Sequence, residues 1–140
     1  MKLTPVKIFT LASLLATSSP LAVVVTSASP ALAASALQTL DPDKDGTVDL
    51  NEAKTAASAL FDKLEKDKDG TLDRQELHGR IPDADWAVAD PDNDKTISKD
   101  EYLTYVEAAF KKADADNDGT LDAKELKTPA GRALLRLLMK

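Results

Sequence analysis

Twenty of the chain's 24 carboxylates fall inside four 12-residue windows, 41–52, 65–76, 90–101 and 114–125; only Asp62, Asp83, Asp85 and Glu107 lie outside. Within each window an acid stands at positions 1, 3, 5 and 12: Asp41, Asp43, Asp45 and Glu52; Glu65, Asp67, Asp69 and Glu76; Asp90, Asp92, Asp94 and Glu101; Asp114, Asp116, Asp118 and Glu125. A chain that turns through such a window aims several carboxylate oxygens at one point. That is chemistry for a hard cation, which takes six to eight oxygen ligands. One acidic run could be a solvated charge cluster, but four in register form a repeat.

The spacing matches the EF-hand loop. In that geometry positions 1, 3 and 5 give carboxylate oxygens, Thr47, Thr71, Thr96 and Thr120 at position 7 give a backbone carbonyl, and the position-12 Glu clasps the ion with both oxygens. Glycine at position 6 allows the sharp turn. Loops one and four keep every feature, so both are expected to bind metal. Loop two opens with Glu65, whose extra methylene must find room in a loop shaped for Asp. Loop three has Lys95 in place of Gly; a left-handed conformation there costs roughly 1–2 kcal/mol, about tenfold in affinity.

Loops one, two and four add Asp49, Asp73 and Asp122 at position 9, giving five carboxylates each. Their mutual repulsion is offset better by a trivalent ion than by a divalent ion of similar size. Pro42 and Pro91 at position 2 remove a backbone donor and push the preceding Asp out of helical conformation. The incoming helix should therefore stop before the loop.

The elements that position these loops follow from the spacers, which are only 12 or 13 residues long. One helix of about three turns must leave one loop and enter the next. Segment 53–64 places Ala53, Ala56, Ala57, Leu60, Phe61 and Leu64 on one face, and segment 102–113 does so with Tyr102, Tyr105, Val106, Ala109 and Phe110. Gly79 and Pro82 break segment 77–89 into a turn and a short helix carrying Trp86, a core residue by its burial habit. Thr128 and Pro129 mark the N-cap and first position of a terminal helix with Leu134, Leu135, Leu137 and Leu138, which closes the core or docks a partner. Position 8 is apolar throughout (Val48, Leu72, Ile97, Leu121), as expected if the loops join in two pairs through short β-bridges. The expected fold is all-α, a compact helical bundle of four EF-hand motifs.

Residues 1–33 have the layout of a cleaved signal peptide: Lys2 and Lys7, an apolar stretch from Ile8 to Val25, and Ala31-Leu32-Ala33. Pro20 and the neighbouring Ser and Thr residues interrupt that stretch too early for a membrane anchor. The expectation is export to the periplasm or outside, with cleavage after Ala33 and a metal-binding domain over 34–140. The mature chain carries 16 basic and 24 acidic residues, a net charge near −8, so nucleic acid and membrane are not expected partners and a monomer is.

No cysteine is present, which excludes thiolate metal sites and disulfides. His78, the one histidine, makes a poor metal site alone and is expected to cap or face solvent. No nucleophile has a recognisable base and no carboxylate pair lies outside the loops, so the chain does not read as an enzyme. Met139 is the only methionine after cleavage, too few for a sensor that opens a Met-lined groove.

Four loops with short spacers, Asp-Pro-Asp starts in loops one and three, Asp at position 9, the signal-like segment and the Thr-Pro-Ala-Gly tail together resemble the lanmodulin family over about residues 37–140. The chain departs from that pattern at Lys66 and Ala115 (no Pro at position 2), Glu65, Lys95 and Ser98. The resemblance implies a periplasmic protein that binds up to four trivalent lanthanide ions, of the La3+ to Nd3+ type, in preference to calcium (Ca2+), and folds as it does so. The alternative is a calcium buffer or structural module without that selectivity.

Overall fold

The computed structural model describes residues 30–140, so most of the signal-like segment lies outside the described residues. Helix α1 (Pro30–Leu40) leads into loop one and buries Ala33, Ala36 and Leu40. The expected cleavage point after Ala33 falls in its first turn.

Helix α2 (Leu50–Leu64) begins where loop one ends because Asp49 caps it. Asp49 Oδ1 accepts the Glu52 N–H and Glu52 Oε2 accepts the Asp49 N–H, both at 2.8 Å. This reciprocal box satisfies two backbone donors that a bare helix end would leave unpaired. Asp73 with Glu76 starts α3 (Arg74–Leu77) in the same way, and Ser98 with Glu101 starts α5 (Lys99–Ala113). Between them His78 ends α3 in the left-handed region at φ 49°, a 3-10 turn spans Asp83–Asp85, and α4 (Trp86–Ala89) follows. The broken segment and the capping duty of His78 agree with the sequence expectation.

Loop four leaves through a 3-10 turn, Glu125–Lys127, after which the Thr128 hydroxyl accepts the Gly131 N–H at 3.0 Å and starts α6 (Pro129–Leu138). The chain doubles back so tightly that a Cβ on Gly131 would lie on the Glu125 carbonyl and 2.6 Å from Leu126 Cα. Only glycine permits this approach.

Four two-residue strands join the loops: β1 (Val48–Asp49) pairs antiparallel with β4 (Thr120–Leu121), and β2 (Thr71–Leu72) with β3 (Ile97–Ser98). Loop one thus joins loop four, and loop two joins loop three. The spacers dictate this. A 15-residue helix is about 22 Å long, so α2 and α5 each carry the chain to the far end of the molecule, whereas the broken segment 77–89 keeps loops two and three together.

The two long helices run antiparallel between the loop pairs, and α6 packs across both. Ala53, Ala57, Leu60, Phe61 and Leu64 of α2 meet Tyr102, Val106, Phe110 and Ala113 of α5, with Phe61 and Tyr102 ring centroids 5.7 Å apart. Leu134, Leu135, Leu137 and Leu138 of α6 close the core, and the Tyr102 hydroxyl donates to the Leu137 carbonyl at 2.8 Å. All four position-8 side chains are fully buried. Such a side chain stabilises the fold by roughly 1.5–3 kcal/mol. At the surface, Lys54 and Lys99 of α2 and α5 reach Glu107 and Asp62 at 2.6 and 2.7 Å. With Lys111 as a second partner, hydrogen bonding and charge hold the Glu107 carboxyl down to about 2.

Candidate metal centre

In every loop the acids at positions 1, 3 and 5 converge, one ligand oxygen from each lying within 4.8 Å of the others. Backbone donors hold them there. The position-6 N–H donates to the position-1 carboxylate in each loop: Gly46 to Asp41 at 2.9 Å, Gly70 to Glu65 at 3.0 Å, Lys95 to Asp90 at 3.0 Å and Gly119 to Asp114 at 3.1 Å. The position-5 N–H donates to position 3 at 3.2–3.3 Å. Both bonds require the chain to turn left-handed, and positions 4 and 6 do so: Lys44, Lys68, Asn93 and Asn117 at φ 60–64°, then three glycines and Lys95 at φ 75–91°.

Asp41, Asp90 and Asp114 are the buried polar side chains among the described residues, exposed by only 2–8%. A buried carboxylate is costly unless paired. Burial raises the Asp41 carboxyl, but the N–H groups of Gly46, Lys44 and Asp45 and its bond with Asp43 more than offset it, leaving it below the ordinary range. At position 3 the balance reverses. The position-5 N–H lowers Asp43, Asp92 and Asp116, yet burial and the neighbouring carboxylates prevail and all three are raised. Loops one, three and four thus concentrate negative charge beyond what their own donors neutralise, as a cation site requires.

The position-7 threonine has a role that sequence reasoning missed. Its hydroxyl and its N–H both bond the position-5 carboxylate, at 2.7–2.8 Å, in all four loops. The recurrence of Thr47, Thr71, Thr96 and Thr120 was the available signal. Trp86 is a core residue, as its burial habit predicts, but its indole N–H also donates to Asp90 Oδ2 at 3.2 Å, and the Arg74 guanidinium lies over its ring at 4.1 Å.

Positions 9 and 12 stand apart from the converging trio. Asp49, Asp73 and Asp122 accept the position-12 N–H at 2.8–2.9 Å; Asp49 and Asp73 thereby cap α2 and α3, while Asp122 holds the turn that follows loop four. The position-12 Oε2 takes the position-9 N–H in each loop, at 2.8–3.3 Å. The other oxygen divides the loops. In loops two and four the position-2 N–H of Lys66 and Ala115 donates to Glu76 and Glu125 Oε1 at 2.8 and 2.9 Å. Pro42 has no N–H to give, and Glu52 Oε1 is buried without a partner. Burial pushes the Glu52 carboxyl up, against the Asp49 N–H and with the charges of Asp43, Asp49 and Asp41. Asp114 Oδ1 is likewise unpartnered. Unpartnered anionic oxygens beside a carboxylate trio fit a hard, oxygen-seeking cation.

A family model described as EF hand matches residues 106–128, the end of α5 together with all of loop four. Lanmodulin of Methylorubrum extorquens is 69% identical over 45 residues, which is 32% of this chain and 34% of that protein. The chain resembles lanmodulin and carries an EF-hand match at its fourth loop. The matched stretch spans about a third of lanmodulin's length, and no described helix is long and apolar enough to cross a membrane.

The two irregular loops of this lanmodulin-like chain can be judged from their geometry. Glu65 keeps the bond to Gly70 N–H, so loop two closes as the others do, but it is half-exposed where Asp41, Asp90 and Asp114 are buried. Lys95 adopts φ 75°, the left-handed conformation expected to strain a residue with a Cβ. Lys95→Gly removes that strain and is expected to tighten metal binding at loop three by roughly five- to tenfold. Isothermal calorimetry of the variant against the parent measures the difference, and an unchanged affinity would show the strain to be absorbed elsewhere.

Proposed function

We propose that this protein is an exported, periplasmic carrier or buffer for trivalent lanthanide ions, held in up to four EF-hand loops and driving the chain to fold as they bind. The observation that carries the reading is charge density. Each loop packs a buried or half-buried first carboxylate against two more, with the position-12 Glu and usually a position-9 Asp in the same 12-residue window, and in loops one, three and four the donors leave the position-3 carboxyl raised. A trivalent ion gains more Coulomb energy from such a set than a divalent ion of similar size. Ligand binding confined to the folded state adds its free energy to folding. Export rests on the signal-like N-terminus, and the likeness to lanmodulin supports the same metal class.

The test is a titration of the metal-free protein with terbium and, separately, with calcium, following helicity by circular dichroism and Trp86-sensitised terbium emission. Terbium is expected to order the chain at concentrations orders of magnitude below those at which calcium acts. If micromolar calcium orders it as fully, the protein is a calcium buffer and the lanthanide assignment fails.

A further inference from the structure

We propose that loops one and four form one two-ion unit, and that this unit fills before loops two and three. The inference rests on the metal-binding reading above and assigns an order to its sites.

Two buried carboxylate oxygens among the described residues lack any hydrogen-bond partner, Glu52 Oε1 and Asp114 Oδ1. One belongs to loop one and the other to loop four, and strands β1 and β4 join these loops directly. Their origins differ. Glu52 Oε1 is stranded because Pro42 cannot supply the N–H that Lys66 and Ala115 supply elsewhere. Asp114, 8% exposed, gives Oδ2 to Gly119 N–H but offers Oδ1 to nothing, whereas Asp41 Oδ1 takes Lys44 and Asp45 N–H at 2.6 and 3.2 Å and Asp90 Oδ1 takes Asp94 N–H at 3.2 Å. An anionic oxygen withdrawn from water with no donor is costly, and a bound cation removes that cost.

The opposite pair has less to gain. Asp90 Oδ2 is already engaged by Trp86 Nε1 and Lys95 N–H, Lys95 is held left-handed, and Glu65 is half-exposed with Oε1 on Gly70 N–H. Pro91 likewise withholds an N–H from Glu101, whose Oε2 takes the Ser98 N–H and hydroxyl, but Glu101 Oε1 is not among the buried unpartnered oxygens, so an ion entering there relieves no such burial and shares the bonds of Asp90 and Glu65.

Register supplies the coupling. Asp49, which caps α2 in concert with Glu52, is paired with Thr120, whose neighbouring carboxylates are those of loop four. Fixing Glu52 on an ion fixes the Asp49 backbone, and through it the turn that presents Thr120.

Trp86 makes the order measurable, because it touches loop three and stands roughly 20 Å, the length of α5, from the far pair. The full chain, freed of metal, is titrated with terbium to four equivalents by calorimetry, with tryptophan-sensitised emission read in parallel. About two equivalents are expected to bind before that emission rises. Emission climbing from the first equivalent overturns the order. A calorimetrically silent titration overturns the metal-binding reading itself, and this inference with it. Glu52→Gln and Asp114→Asn, each checked for helicity at terbium saturation, test the unit from either side: each is expected to weaken both early ions, the unmutated loop by about tenfold. Loss confined to the mutated loop in both variants overturns the coupling.

Discussion

Gly131→Ala is expected to lower stability by at least 3 kcal/mol and to weaken metal binding at loop four in the same variant. The added methyl would lie on the Glu125 carbonyl and 2.6 Å from Leu126 Cα. Both obstacles are backbone, so no side-chain rotation relieves them. Overpacking a core with side chains that can give way typically costs about 1–3 kcal/mol, and a clash with main chain exceeds that. Helix α6 must lift, which pulls Leu134 and Leu138 from the core, or the 3-10 turn must shift, which moves Glu125, the clasp of loop four. Urea unfolding of the terbium-loaded variant and parent, with a terbium titration of the variant, reads both effects. A stability loss with loop four intact would show that α6 moves alone.

Tyr102→Ala is expected to cost roughly 3–5 kcal/mol, the usual range for deleting a buried aromatic ring. Tyr102 is wholly buried, packs on Phe61 of α2, and donates to the Leu137 carbonyl of α6, so one side chain ties the three helices together. Truncation leaves a cavity and an unpaired carbonyl. Total stability of about 5–15 kcal/mol is ordinary for a domain, and this chain carries few aromatics, so the variant is expected to need more terbium than the parent to reach the same helicity. Terbium is expected to rescue its helicity through mass action. Tyr102→Phe isolates the hydroxyl and is expected to cost about 1 kcal/mol. Circular dichroism with and without terbium decides both.

The four loops and the apolar faces of α2 and α5 were legible in the sequence because they depend on local spacing. So were the Thr128 cap and the broken 77–89 segment, which rest on residues with fixed backbone preferences. Which loops pair was not stated by any one loop. The strand-forming residues Val48, Leu72, Ile97 and Leu121 are interchangeable in kind, and only the three-dimensional course of α2 and α5 selects loop one with four. The roles of Asp49, Asp73 and Asp122 were legible in half. Their position suggests a ligand; the structure adds that Asp49 and Asp73 cap helices, a duty that Ser98 performs equally well in loop three, and that Asp122 accepts the Glu125 N–H in the turn after loop four. The indole bond of Trp86 to Asp90 was hidden because a four-residue separation along a short helix and a turn fixes no side-chain direction. The cleavage point and the compartment concern residues at and before α1, and remain expectations of the sequence.

The join between β1 and β4 also sets the sequence of events in folding. Its partners lie about seventy residues apart along the chain, against about twenty-five for β2 and β3, a difference in loop-closure entropy of about 1 kcal/mol. The distal contact therefore forms late, after the middle hairpin of loops has closed. The pair that takes ions first at equilibrium is thus the last to be assembled, and its ions act as the buckle on a belt already wrapped. Removing them should accelerate unfolding far more than it slows refolding.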